Sequence, residues 1–249
     1  MKKIKTWKQI VIDTLFPRFC LICNKRLGIN EKDVCISCFC NMPFTHFKGE
    51  KGNVIERLTC DDIICTKRAN SFFFYEKESS YCTIFFHFKY YNHPEVAVTM
   101  GHMMAQDLKD TDFFNDIDVI VPIPLSKERL KKRGYNQSER LATGISQVTG
   151  IPIDTTSVIR TVNNPTQTHL DAIQRNENVK DIFALSANEN IHDKHILLVD
   201  DVITTGSTTR ACAHAALKAP NIKISIISLA CSSYHKKYTF PSAQRLWYA

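Results

Sequence analysis

No stretch of this sequence approaches the ~20 apolar residues that a membrane-spanning helix needs, so a helical span is excluded. The N-terminal MKKIKTWKQIVIDTLFP has cations but no apolar run of signal-peptide length. Ile4, Trp7, Val11 and Leu15 fall there at helical spacing and predict a short amphipathic helix packed on the body. No internal repeat and no low-complexity tract is present, which removes the solenoid and disordered classes. Neither sign of charge dominates: 32 Lys+Arg stand against 25 Asp+Glu, a formal +7. That balance favours polyanionic partners without describing a dedicated nucleic-acid coat. Together these absences predict a cytoplasmic chain. In a reducing compartment its ten cysteines read as metal ligands or buried thiols rather than disulfides.

What is present suits one sizeable α/β domain plus a small module, in 249 residues of which 44% are hydrophobic. Residues 196–212, ILLVDDVITTGSTTRAC, are the most informative. The run Ile196 to Val199 suits a strand buried on both faces, as in a parallel sheet. Asp200 and Asp201 end it, where open α/β sheets bind ligands. The loop of Thr204, Thr205, Gly206, Ser207 and Thr208 carries no bulky side chain, so its N–H groups and hydroxyls can close around a phosphate. A helix is expected through Arg210–Lys218, its N-terminal end adding positive potential. Two adjacent carboxylates beside an anion site repel it and each other unless they accept from a ribose diol and face hydrated Mg²⁺. The ligand suggested is a sugar 5′-phosphate with a metal-bound group on its other side. No lysine follows Gly206, so this is not the GxxxxGK[ST] nucleotide loop. The plainer alternative is an exposed turn with a capping Asp and a Thr/Ser N-cap. The stretch resembles the phosphoribosyl-diphosphate (PRPP) motif of type I phosphoribosyltransferases.

Cys20, Cys23, Cys35 and Cys38 form C-x2-C-x11-C-x2-C. Two such knuckles offer four thiolates, which suit a closed, structural Zn²⁺ site. A module this small depends on metal for much of its folding energy. The other six cysteines, Cys40, Cys60 and Cys65 among them, show no second paired knuckle and read as plain thiols.

Asp118-Val-Ile-Val-Pro-Ile-Pro predicts another buried strand, followed by a run in which five of the seven residues Lys127–Arg133 are cationic. Gly134 can then take a positive-φ turn that presents Tyr135, Asn136 and Gln137. A basic loop at a strand's carboxyl end is what a departing pyrophosphate needs, although such a run is also the ordinary solvated face of a helix. Asn164–His169, with Gln167, followed by Arg175 and Asn178, reads either as a mobile flap over a sugar phosphate or as a surface loop.

In order, the four-cysteine ribbon, His87-Phe-Lys-Tyr90, Val121-Pro-Ile-Pro-Leu125 and Arg133-Gly-Tyr-Asn-Gln137 come first. Pro165-Thr-Gln-Thr168, Arg175-x2-Asn178 and Val199–Thr208 follow. With this series the chain resembles the ComF family, of the ComFC type linked to DNA uptake in competent bacteria. The resemblance implies an α/β fold of the type I phosphoribosyltransferase kind, a parallel sheet flanked by helices, with a small N-terminal four-cysteine zinc ribbon. Its expected parts are a ribbon at 16–48, a transferase-like domain at 68–231 and a tail at 232–249. Asp200 and Asp201 would meet the ribose hydroxyls and Thr204–Thr208 the 5′-phosphate. Arg133, Gly134, Asn136 and Gln137 would lie at the pyrophosphate, with Gln167, Arg175 and Asn178 in the flap. The partners implied are PRPP with Mg²⁺, single-stranded DNA and a competence-machinery protein.

Strands are expected at Ser71–Tyr75, Val119–Ile123, Ile196–Val199 and Lys223–Leu229, with a helix beginning in Ile84–Tyr90. No residue advertises itself as a general base and no base-recognition pocket is legible. Three readings stay open: a PRPP-dependent transferase linked to single-stranded DNA, a DNA-binding protein without turnover, and a nucleotide-salvage transferase. For the second, Tyr135 beside the basic run is the expected stacking aromatic.

Overall fold

The computed structural model describes residues 15–161 and 182–233. Its elements run α1 (Ile36–Cys40), α2 (Val54–Thr59), β1 (Thr66–Tyr75), α3 (Cys82–Tyr90), α4 (Pro94–Leu108), β2 (Val119–Pro122) and α5 (Lys127–Arg133). They continue with α6 (Gln137–Thr149), β3 (Val158–Arg160), β4 (Phe183–Leu185), β5 (His195–Ile203), α7 (Ser207–Ala216) and β6 (Lys223–Ser232). The first strand is longer than its aromatic core predicts, and α7 starts three residues before the expected Arg210, because left-handed Gly206 opens it directly.

Four strands make one parallel sheet in the order β1-β6-β5-β2. The near-continuous apolar run of β5 is explained by its interior place, with β6 on one side and β2 on the other. Alternate residues serve opposite faces. Leu197, Val199, Ile227 and Leu229 join one apolar cluster, while Ile196, Leu198, Ile224 and Ile226 join the other. The first face is covered by α3, α4 and α6 through Phe85, Phe88, Met100, Met104, Leu141 and Ile145. The second is covered by α2 and the alanine-rich α7, with the two-stranded β3–β4 ribbon beside them.

The strands' buried hydroxyls are matched across the sheet. Ser228 donates to Ser71 at 3.0 Å, and Ser225 pairs with His195 Nε2 at 2.9 Å. Where α4 meets α6, Gly101 and Gly144 let backbones touch: a Cβ on either would lie 2.1 Å from a carbonyl oxygen of the facing helix. The cysteine segment is not a separate bead. Cys20, Leu27, Val34 and Cys35 are buried in the same cluster as the first sheet face.

Candidate functional site

The carboxyl end of β5 delivers the acid pair, and packing gives the two carboxylates different surroundings. Asp200 is turned inward and 9% exposed. Its Oδ1 accepts the Asp201 N–H at 2.8 Å and its Oδ2 accepts the Thr209 hydroxyl at 3.2 Å. Burial, and secondarily the charge of Asp201, push its carboxyl up to about 7, although those hydrogen bonds and Lys89 pull the other way. Asp201 instead meets the Lys89 ammonium of α3 at 2.6 Å, a half-buried pair. Lys89 also lies 5.1 Å from the Phe85 ring centre.

Past the acid pair, the small-residue loop is anchored at Gly206 and Arg210. The hydroxyls of Thr205 and Ser207 are 2.8 Å apart, while Thr204, Thr205 and Thr208 face solvent. Gly206 adopts φ +75° at the N-cap of α7, and a Cβ there would lie 2.2 Å from the Leu58 carbonyl oxygen of α2. Arg210 fastens the same junction by donating to the carbonyls of Leu58 and, at 3.2 Å, Thr205. Only glycine satisfies both the left-handed backbone and this close approach.

The basic segment at Lys127–Arg133 is helix α5, capped by Ser126 and ended by Gly134 at φ +78°. It points its cations outward, and Arg133 rests with Cζ 5.7 Å from the Tyr90 ring. The three residues after Gly134 turn inward, contrary to the expectation that they are presented. Asn136 caps α6 and donates to the Ile123 carbonyl at 3.0 Å, tying α6 to the end of β2. Gln137 is 2% exposed, and its Nε2 has no hydrogen-bond partner among the described residues. Tyr135 is 7% exposed and donates to the Phe88 carbonyl at 2.5 Å. The stacking role read for Tyr135 is therefore overturned: its side chain is buried, with its hydroxyl bonded to α3, instead of facing solvent.

Two further cations belong to this neighbourhood. Lys89 is the lone amine in an otherwise aromatic stretch, FFHFKYY, and lies in the His87–Tyr90 block of the family resemblance, which gave it no role at the acid pair. Arg160, at the end of β3, packs over Phe183 at 5.3 Å and leaves its buried Nε without a hydrogen-bond partner among the described residues. Burial, then the like charge of Arg129, draws its guanidinium below the ordinary range, while Cys212 and Asp200 oppose. Cations from α3, α5 and β3 thus ring the carboxyl end of β5. Gln167, Arg175 and Asn178 of the expected flap lie outside the described residues, as do Ile4, Trp7, Val11 and most of the tail.

The cysteines converge as the spacing predicts. All four sulfurs of Cys20, Cys23, Cys35 and Cys38 lie within 4.8 Å of one another, with Cys23 and Cys35 at 3.7 Å. Tetrahedral coordination with metal–sulfur bonds of about 2.3 Å needs sulfurs roughly 3.8 Å apart, so the set fits a metal ion. The Cys35 N–H donates to Cys20 Sγ at 3.3 Å and the Cys38 N–H to Cys35 Sγ at 3.4 Å. Burial raises the Cys20 thiol, but N–H bonds from Cys23, Cys35 and Ile22 outweigh it and bring it to about 7.

A cavity of about 600 Å³ opens at the opposite, amino end of the sheet, between Lys48, Arg68, His195 and Lys223. It sits six residues of β5 away from Asp201, roughly 20 Å, and plays no part at the acid pair.

A family profile described as "Phosphoribosyl transferase domain" matches residues 89–246. Competence protein F of Haemophilus influenzae is 35% identical over 125 residues, 49% of this chain and 55% of that protein. The chain thus aligns with just over half the length of that relative. DNA utilization protein YhgH of Escherichia coli is 25% identical over 217 residues, 81% of this chain and 92% of that protein. Adenine phosphoribosyltransferase of Saccharomyces cerevisiae matches with a TM-score of 0.38 and 14% identity, covering 61% of this chain and 78% of that one. With its parallel sheet, its acid pair and its four-cysteine cluster, the chain belongs to the phosphoribosyl transferase domain family, among the ComF/YhgH proteins.

Proposed function

We propose that this chain binds PRPP with Mg²⁺ at the carboxyl end of β5 and works on or beside single-stranded DNA in the cytoplasm. The observation that carries the reading is the joining of Asp200 and Asp201 to a hydroxyl-rich loop anchored at Gly206 and ringed by cations of three elements. Asp201 receives the ribose hydroxyls once Lys89 yields it, and Asp200 holds Asp201's backbone in place. The 5′-phosphate settles on Thr204, Thr205, Ser207 and Thr208 at the head of α7. The pyrophosphate and its Mg²⁺ lie toward Arg133 and Gly134.

Departure of pyrophosphate leaves a cationic sugar. Carboxylates beside the ribose and fixed cations at the leaving group stabilise that charge separation without moving during the step. The cysteine cluster holds structural Zn²⁺ and ties residues 16–48 to the first sheet face. DNA utilization protein YhgH supplies the link to DNA by name. The outward cations of α5 supply it by charge.

Calorimetric titration of PRPP with Mg²⁺ into the full chain tests the reading, with the Asp200→Asn/Asp201→Asn double variant as control. Binding by the wild type and none by the variant is expected. A silent wild type, or retained binding by the variant, overturns it. Release of pyrophosphate on adding an oligonucleotide, and not on adding free purines or pyrimidines, separates the DNA-linked reading from nucleotide salvage. Oligonucleotide binding without PRPP binding marks a non-catalytic DNA clamp.

A further inference from the structure

Helix α3 has two aromatic faces where packing calls for one. Its inner residues Ile84, Phe85 and Phe88 are 0–5% exposed in the core. Its outer residues Phe86 and Tyr90, one turn apart, are 50% and 63% exposed, and Tyr91 just beyond is 61% exposed. Contiguous exposed rings are unusual on a soluble surface and mark binding sites. The Phe86 and Tyr90 rings sit 5.9 Å apart with planes inclined by 38°, forming one shallow surface. Arg133 braces that surface from α5. Lys89, between the two rings in sequence, reaches Asp201 at 2.6 Å, so the platform borders the acid pair.

We infer that this outer face of α3 is a stacking platform for an unpaired nucleobase, whose attached phosphates run over the cations of α5. The position of the base relative to a ribose rests on the PRPP reading above, but the platform does not. The chemistry of the patch selects the occupant. Its apolar surface is aromatic rather than aliphatic, which suits a flat π-system better than an acyl chain. Its neighbours Lys127, Arg129, Lys131, Lys132 and Arg133 make no ion pair among the described residues, so they remain available to phosphate. Aromatic stacking beside a cationic track is how single strands are held without sequence preference. A free base offers the same ring without the phosphates. This site supplies what the sequence lacks, a recognisable place for a base.

The test compares two short fluorescent oligonucleotides of equal length and charge, an oligothymidylate and its abasic counterpart, by anisotropy with the full chain. The oligothymidylate is expected to bind at least about tenfold more tightly, the yield of stacking a base on a ring. Phe86→Ala/Tyr90→Ala should bring it down to the abasic level, while Tyr90→Phe, which keeps the ring, should not. Both positions are exposed, and circular dichroism verifies that the variants fold. Competition by millimolar thymine or adenine assigns the platform to a free base; failure to compete assigns it to the polymer. Equal affinity for the two oligonucleotides, or a base preference that survives Phe86→Ala/Tyr90→Ala, overturns the inference. PRPP titration of the same sample keeps the two readings apart. PRPP binding with no base preference removes the platform alone, whereas base preference without PRPP binding keeps the platform and removes the ribose site.

Discussion

Asp200 is a buried carboxyl that the fold would do better without, and replacing it measures by how much. Its carboxyl stands at about 7 instead of 3.8, chiefly through burial and then through Asp201. The folded chain therefore holds a proton there that the unfolded chain releases. Stability falls as pH rises from about 4 to about 7, the reverse of a salt-bridged carboxylate. At 1.36 kcal/mol per unit the full difference is roughly 4 kcal/mol above that window, an upper bound because local rearrangement softens it. Asp200→Asn keeps the shape and both hydrogen bonds: the amide oxygen accepts the Asp201 N–H, and the NH₂ donates to Thr209 in place of accepting from it. Urea unfolding of the ligand-free variant and wild type across this range is the assay. Near pH 4 the two should be about equally stable, and by about pH 8 the variant should lead by roughly 2–4 kcal/mol. A variant less stable at every pH, or a lead that does not change with pH, refutes the argument. A lead confirmed means that the carboxylate is retained at a cost to the fold, as expected of a group kept for a ligand.

Gly206→Ala should lose stability by more than the ~1–2 kcal/mol of a left-handed alanine, because its Cβ also meets the Leu58 carbonyl. PRPP affinity should fall with it, and an unchanged urea midpoint contradicts the packing described. Cys35→Ser should release the metal, read by atomic absorption, and lower the thermal midpoint, since Cys35 sits both in the cluster and in the core beneath it. Full metal content in that variant disproves four-sulfur ligation.

The sheet was legible because burial on both faces leaves an unambiguous mark. Val119–Ile123, Ile196–Val199 and Lys223–Leu229 are largely apolar runs and each marks a parallel strand, although β2 stops at Pro122 while β5 and β6 run on to Ile203 and Ser232. The cysteine spacing was equally direct, since two knuckles on one ion fix their own geometry locally. Inward and outward were harder to read in short polar stretches. Tyr135, Asn136 and Gln137 follow a turn-forming glycine and look presented, but α6 begins at Gln137 and rolls them under. Lys89 and Arg160 lie far from the acid pair in sequence; Lys89 stood in a marked block without a role there, and no local pattern announces Arg160.

By itself the sequence determined the parts whose physics is local: a buried strand carrying two carboxylates, a loop that needs a left-handed glycine, and a four-thiolate module. Tertiary structure alone decided how those parts are used. It buried Asp200 and gave Asp201 to Lys89, because β5 lies inside the sheet while α3 passes its open end. It also left the rings of Phe86 and Tyr90 outside, because the core beneath α3 is already filled by Phe85 and Phe88. A residue's charge or aromaticity is written in the chain, but its exposure and its neighbours depend on which elements pack across it.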